Sequence, residues 1–370
     1  MQQFLSVSEL RSALLPSLGM GVLRVEEAVW RSMVGSWAQQ QRARHLATQT
    51  IQTRVALIER FQAFTEKYPW QWQASDLDEF TDSYRQGGRG RSTIRAVHGG
   101  IRGFCDYLTS PDYDWVEICE RQFGETPSQV CLPWNTAAHV QEYEGNPRRR
   151  ALTFDEVQQL FDYADERVEA VARSGRKGAL GALRDAQMFK TAYAFGLRRA
   201  ELRGLDLADM HYNSRVPKWG RYAALHVRFA KASRGSNPRR RTVLLVPEMA
   251  WWIEGMSQWV EEARDRFGSR DLAAMWVTER NTRVSAKYVD ARFVALREGA
   301  GLDPALTLHC LRHSYVTHLI EYGYADKFVQ EQVGHLHAST TSIYTSVSGD
   351  FKNRVLAEAL ARFRQMEAEL

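Results

Sequence analysis

The chain has 370 residues, which suggests two domains and a short extra arm. Hydrophobic residues make up 44% and charged residues 25%, so wholesale disorder is excluded. The net charge of +5, from 49 Lys+Arg against 44 Asp+Glu, permits a polyanionic partner without requiring one, and the placement of charge must decide.

No apolar run approaches the roughly 20 residues of a membrane span. The first 23 residues carry Glu9 and Arg11, where a signal peptide would have a basic start and an unbroken apolar core. Cys105, Cys119, Cys131 and Cys310 are too widely spaced for a zinc ribbon or a disulfide framework. The expectation is a cytoplasmic protein with buried thiols and no membrane partner.

In chain order, residues 1–24 form an N-terminal extension of unassigned structure. Helical spacing of apolar residues follows over 25–44 and 48–67, with Ile51, Val55, Ile58 and Phe61 on one face and Pro69 as the stop. Asp76 is the expected N-cap of a helix reaching Tyr84, and Ser92 that of a helix reaching Leu108. Ile94, Val97, Ile101, Phe104 and Leu108 mark the second helix's buried side. Residues 25–130 thus read as a small all-α domain. Turn formers, from Pro133 to Pro147, make 131–150 the linker. Thr153-Phe-Asp-Glu156 is a capping-box pattern that opens a second domain, 151–350.

That domain begins helical. Then Leu225, Val227 and Phe229 alternate with polar residues, a turn signal falls at Asn237-Pro238, and Thr242–Val246 is apolar: a β-hairpin. Helices resume from Pro247. The last stretch, 351–370, carries an apolar helical stripe that packs either on its own domain or on a neighbouring protomer.

Chemistry concentrates in the second domain. His309, Arg312 and His313 fall on one helix face, opposite Leu308, Leu311, Tyr315 and Leu319. Arg198 follows Gly196 at a helix break, and its planar fork can hold two phosphate oxygens at once. Glu201, one turn on, fits an arginine partner better than a base. Lys231 ends the first hairpin strand, ahead of Arg234, Arg239, Arg240 and Arg241, a run that reads as solvated or phosphate-contacting. His335 and Tyr344 complete the set. Any one of these alone would be an ordinary core or surface residue; their combination points to attack on a phosphodiester.

The set Arg198, Lys231, His309-x-x-Arg312, His335 and Tyr344 resembles the signature of the tyrosine recombinases, the phage-integrase family. Arg312 to His335 is 335 − 312 = 23 residues and His335 to Tyr344 is 344 − 335 = 9, both matching the family's usual spacing. The resemblance spans roughly residues 25 to 350 and is weaker in the first domain. Ala230-Lys231-Ala232 departs from the glycines usual around the hairpin lysine, and Lys218 is a rival for that role. The resemblance implies a mainly α fold with a small β-sheet (α+β): an N-terminal helical core-binding (SAM-like) domain and a C-terminal catalytic domain. It implies a covalent 3′-phosphotyrosine at Tyr344, charge neutralisation by Arg198 and Arg312, protonation of the leaving 5′ hydroxyl by Lys231, and phosphate hydrogen bonds from His309 and His335. Neither metal nor cofactor is implied. The partners implied are double-stranded DNA bearing recombination sites and further copies of the chain, four on synapsed DNA. Arg91, Arg95 and Arg102 of the first domain join the hairpin arginines as expected DNA contacts.

Three rivals remain. A zinc site on His309, Cys310, His313 and His335 would place Arg312 against the cation. An accessory DNA binder would not need all six residues. A type IB topoisomerase or telomere resolvase would use the same chemistry differently.

Overall fold

A computed structural model describes residues 25–137, 150–175, 177–228, 240–268 and 271–334 of the chain. The described residues divide into two compact units, 25–137 and 150–334. The expected N-terminal extension, most of the linker, Lys231, Arg234, Arg239, His335, Tyr344 and the final helix lie outside the described residues.

The first unit is all-helical: α1 (Val25–Ala43), α2 (Thr48–Thr65), α3 (Ala74–Gln86), α4 (Arg91–Leu108) and α5 (Trp115–Phe123). Its core is aromatic. Phe104 of α4 meets Trp37 at 5.1 Å and Trp30 at 6.0 Å between ring centres, both edge-on, the geometry favoured by the ring quadrupoles. Gly100 lets α4 approach α2; a Cβ there would lie 2.5 Å from Leu57 Cδ2.

Helix boundaries differ from the expected ones for local reasons. α2 stops at Thr65, where Glu66 turns left-handed (φ 54°) and donates its N–H to Gln62 O. Asp76 is not the cap of α3. It sits in the first turn, and its carboxylate accepts the N–H of Gln73, the true cap position, at 2.8 Å and the Lys67 ammonium at 2.7 Å. Gly90, rather than Ser92, precedes α4. Residues 131–137, expected as the start of the linker, belong to the first unit. Val130 and Cys131 are buried, and the Ala137 N–H donates to His98 Nδ1 at 3.0 Å.

The second unit holds α6 (Phe154–Arg173), α7 (Ala179–Ala194), α8 (Arg199–Gly204), α9 (Trp252–Gln258), α10 (Ala286–Gly299), α11 (Leu308–Glu321) and α12 (Asp326–Val333). The capping box before α6 is present: Thr153 Oγ1 accepts from Glu156 N at 3.1 Å, and Glu156 Oε2 accepts from Thr153 N at 2.9 Å. Three antiparallel strands, β1 (Met210–His211), β2 (Ala224–Val227) and β3 (Arg241–Leu244), lie in sequence order. β2 and β3 pair antiparallel as the expected hairpin's strands, from Ala224 opposite Leu244 to Val227 opposite Arg241, one residue earlier than expected at each start. The fold is thus mainly α with a small sheet.

α11 runs through the core of this unit. Leu308, Leu311, Tyr315 and Leu319 are buried as expected, but so are Arg312, Ser314 and His318 on other faces. All four cysteines are free and buried, and burial pushes the thiols of Cys105, Cys119 and Cys131 up to about 12. Among the described residues no helix is long and apolar enough to cross a membrane.

His318 is buried neutral. Its Nδ1 shares a 2.7 Å hydrogen bond with the Tyr193 hydroxyl, and Phe154 stacks on its ring at 3.8 Å. Burial pulls its pKa down to about 4 from 6.5. Between those values the unfolded chain takes up a proton that the folded chain refuses. Stability from this group is therefore complete above about pH 6.5 and falls as pH drops towards about 4, by up to roughly 3 kcal/mol. Urea titrations across that window should show this slope in the wild type. His318→Gln should lose it; an unchanged slope in the variant would assign the acid sensitivity to other groups.

Candidate active site

The site is built where α7 ends. Gly196 adopts φ 57°, which breaks the helix, and a Cβ there would stand 2.3 Å from the Tyr315 ring. The chain turns at this glycine, and Arg198 becomes the residue that precedes α8. Its backbone N–H donates to Glu201 Oε2 at 2.9 Å, and its Nη1 donates to Glu201 Oε1 at 2.8 Å. One carboxylate thus caps α8 and fixes the direction of the Arg198 side chain, which remains 29% exposed.

Glu201 itself is buried. Arg241, the first residue of β3, donates to both of its oxygens, Nη1 to Oε1 at 3.0 Å and Nη2 to Oε2 at 2.8 Å, a bidentate fork. Arg312 Nη1 approaches Glu201 Oε2 at 3.9 Å. Burial opposes ionisation of this carboxyl. The Arg241 hydrogen bonds, the charges of Arg241 and Arg312, and the Arg198 N–H outweigh it and bring the pKa down to about 2. Glu201 is an anion at any working pH and serves as an orienter, as its spacing from Arg198 suggested.

Arg312 is almost wholly buried. Its Nη1 donates to Gly196 O at 2.7 Å and its Nη2 to Val333 O at 2.6 Å. These bonds lock the guanidinium plane between the α7–α8 turn and the end of α12. Arg241 Nε donates to the neighbouring carbonyl, Gln332 O, at 2.9 Å. Two arginines therefore hold the last carbonyls of α12, and Gly334 (φ 65°) follows at once. Gln332 extends the seam: its amide exchanges hydrogen bonds with Leu244 N and O, at 2.9 and 2.8 Å, and donates to the Tyr315 hydroxyl at 3.2 Å.

Three guanidiniums surround one carboxylate, so the cluster carries a surplus of positive charge in a largely dehydrated setting. Such a place is electrostatically matched to a phosphate whose charge grows during reaction. His309 and His313 lie edge-on to each other with ring centres 4.9 Å apart, on the half-buried side of α11. Cys310 points elsewhere, buried, with its sulfur accepting the Thr307 N–H at 3.3 Å at the start of α11. Among the described residues no group of three His, Cys, Asp or Glu is arranged to hold a metal ion.

The hairpin is anchored at both feet. Arg228, just after β2, donates to Asp209 and Asp206 at 2.5 Å each, and Arg283 joins Asp206. Lys231 follows three residues later, outside the described part. Of the arginines expected to contact DNA, Arg240, Arg91 and Arg102 are exposed and Arg95 is half-buried. Arg241 is a correction. Its side chain is 10% exposed and committed to Glu201 and Gln332, so it supports the site from inside and does not reach outward from the charge run. Alternation carries the missed signal: Arg241 shares the inward parity of Val243, which is fully buried. Gln332 gave no sequence signal at all.

The sequence model of the phage integrase family matches residues 150–350. A tyrosine recombinase XerC of Pelotomaculum thermopropionicum is 31% identical over 226 residues, 59% of this chain and 68% of the relative. One from Escherichia coli is 33% identical over 285 residues, covering 76% and 79%. Among solved structures, XerH recombinase bound to a palindromic difH substrate in a post-cleavage complex superimposes with a TM-score of 0.60 at 18% identity, over 94% of this chain and 86% of that one. A lambda integrase dimer bound to a COC' core site gives 0.59 at 16% identity, over 86% and 95%. The chain belongs to the phage integrase family, the tyrosine recombinases.

Replacing Arg241 by Met should leave the Glu201 carboxylate without its bidentate partner and cost about 3–5 kcal/mol, the usual range for breaking a buried pair from one side. Chemical denaturation measures this directly. A loss under about 1 kcal/mol would mean that Arg198 and Arg312 alone satisfy Glu201.

Proposed function

We propose that the chain cuts and rejoins duplex DNA at specific sites through a covalent 3′-phosphotyrosine formed by Tyr344. The observation that carries this reading is the convergence of Arg198 and Arg312, from distant parts of the sequence, on the single buried carboxylate Glu201.

In the proposed reaction the Tyr344 oxygen attacks phosphorus, the P–O bond to the 5′ carbon's oxygen breaks, and the departing 5′ oxygen takes a proton from Lys231. Arg198, oriented by Glu201, and Arg312, held by Gly196 O and Val333 O, neutralise charge growing on the non-bridging oxygens. His309 and His335 hydrogen-bond the phosphate and help carry away the proton that the Tyr344 hydroxyl gives up as its O–P bond forms. The bond energy is conserved in the phosphotyrosine, so a 5′ hydroxyl from another strand reverses the step. No cofactor enters this scheme.

Known relatives support the partners. Lambda integrase, a structural neighbour, is known as a dimer bound to a COC' core site and as a tetramer bound to a Holliday junction. Site-bearing duplex DNA and a tetramer at synapsis are the corresponding partners here, with the final segment 351–370 the proposed contact between protomers. Arg91, Arg95, Arg102, Arg234, Arg239 and Arg240 are proposed phosphate contacts, which makes binding fall steeply with salt. The proposed setting is the bacterial cytoplasm, on DNA.

Tyr344→Phe should bind its site and form no covalent adduct on a nicked suicide duplex, read by denaturing gel. An adduct surviving in that variant would move the nucleophile elsewhere. Arg198→Ala should slow adduct formation by about 10²–10³-fold, the loss expected for one transition-state donor.

A further inference from the structure

Six tryptophans fall in the described first unit. Trp30, Trp37, Trp70, Trp72 and Trp115 are at most 7% exposed and build or border its core. Trp134 is 79% exposed. An indole left in water forgoes one of the largest hydrophobic contributions a side chain offers, and nothing in the core uses this one.

The turn that carries Trp134 is rigid. Asn135 Oδ1 accepts the Leu132 N–H at 2.7 Å, Asn135 Nδ2 donates to Val130 O at 3.0 Å, and Thr136 Oγ1 donates to Leu132 O at 2.8 Å. Pro133 fixes the backbone angle just before the indole. The turn is also fastened to α4. Ala137 N donates to His98 Nδ1 at 3.0 Å, and one helical turn on Arg102 Nη2 donates to Thr136 Oγ1 at 2.9 Å. His98 is held from its other side by Thr81 Oγ1 at 2.8 Å from Nε2. The indole is therefore presented on a preformed mount, so that ordering it on contact costs little.

Its neighbourhood is cationic. Arg102 shares one face of α4 with Arg95, seven residues before it, and with Arg91, four residues before Arg95. A flat apolar ring beside a row of guanidiniums matches a partner with anionic edges and apolar faces. Duplex DNA has anionic phosphates and, between them, the apolar surface of deoxyribose.

We propose that Trp134 is a DNA-contacting residue. The indole packs on a deoxyribose where the duplex backbone passes Arg102, adding a non-ionic contact to the arginine row. This inference rests on the reading of the chain as a DNA recombinase.

The test compares wild type, Trp134→Ala, Trp134→Phe and Arg102→Ala of the full chain, on a duplex that the wild-type protein selects from a random-sequence pool. Apparent affinity is measured across a salt series. Removal of the indole should weaken binding about tenfold or more, the scale of one lost aromatic contact to nucleic acid, with the slope against salt unchanged because no counterion is involved. Trp134→Phe should recover most of the loss. Arg102→Ala should instead lower the slope by about one. Trp134→Ala binding like a wild type that itself binds and forms the covalent adduct would overturn the inference alone. So would a defect confined to assembly of protomers, which would assign the indole to a protein partner. A wild type that neither selects a duplex nor forms an adduct would remove the inference and the recombinase reading together.

Discussion

The second unit depends on how one buried carboxylate is neutralised. Glu201 has almost no access to water, and an isolated charge in such a place would be too costly to keep. Three arginines from α8's start, β3 and α11 meet it. Each comes from a different part of the sequence, so the pairing fixes the relative placement of helix, sheet and core helix together. Buried ion pairs are poor sources of net stability compared with apolar packing, but they are demanding about geometry. Here that demand falls on the guanidiniums that the proposed reaction sets around a phosphate.

The same arrangement explains why the end of α12 belongs to the site. A helix C-terminus carries partial negative charge on its last carbonyls. Gln332 O and Val333 O take Arg241 and Arg312, and the chain leaves the helix at Gly334. Gln332 stitches the same helix to β3. Hairpin, arginine turn and α12 form one hydrogen-bonded frame in which no member can shift without unsatisfying a buried polar group.

Much of this was legible in the residues. Gly196-Leu-Arg198 announced a helix break that presents an arginine, because only glycine accepts both the left-handed turn and the ring of Tyr315 behind it. Thr153 and Glu156 announced their own capping box, and alternation found β2. The rest was hidden for physical reasons. β1 is two residues long and has no period to detect. α11 is buried on most of its circumference, so spacing, which grouped Arg312 with His309 and His313, did not show that Arg312 is enclosed while the two histidines are half-buried. Asp76 misled because a carboxylate serves equally well as a cap or in the first turn, and the neighbouring side chains decide which. Arg241 was masked by Arg239 and Arg240: a charge run reads as surface, and only strand parity separates its inward member.

Arg241's inward turn changes the charge balance of the site. Had it faced outward, Glu201 would be left with Arg198 and Arg312, and pairing one carboxylate with two arginines would absorb much of their field. With Arg241 supplying the bidentate bonds, Glu201 is satisfied by a residue that plays no outward part. Arg198 then needs Glu201 only for direction, through one Nη1 bond, and Arg312 stands off at 3.9 Å with its fork set by carbonyls. Neutral carbonyl dipoles orient a guanidinium without cancelling its charge, whereas a carboxylate does both. Glu201 thus gives both of its oxygens to Arg241, one bond to the Arg198 side chain, and only a 3.9 Å approach to Arg312, whose guanidinium is held by neutral carbonyls instead.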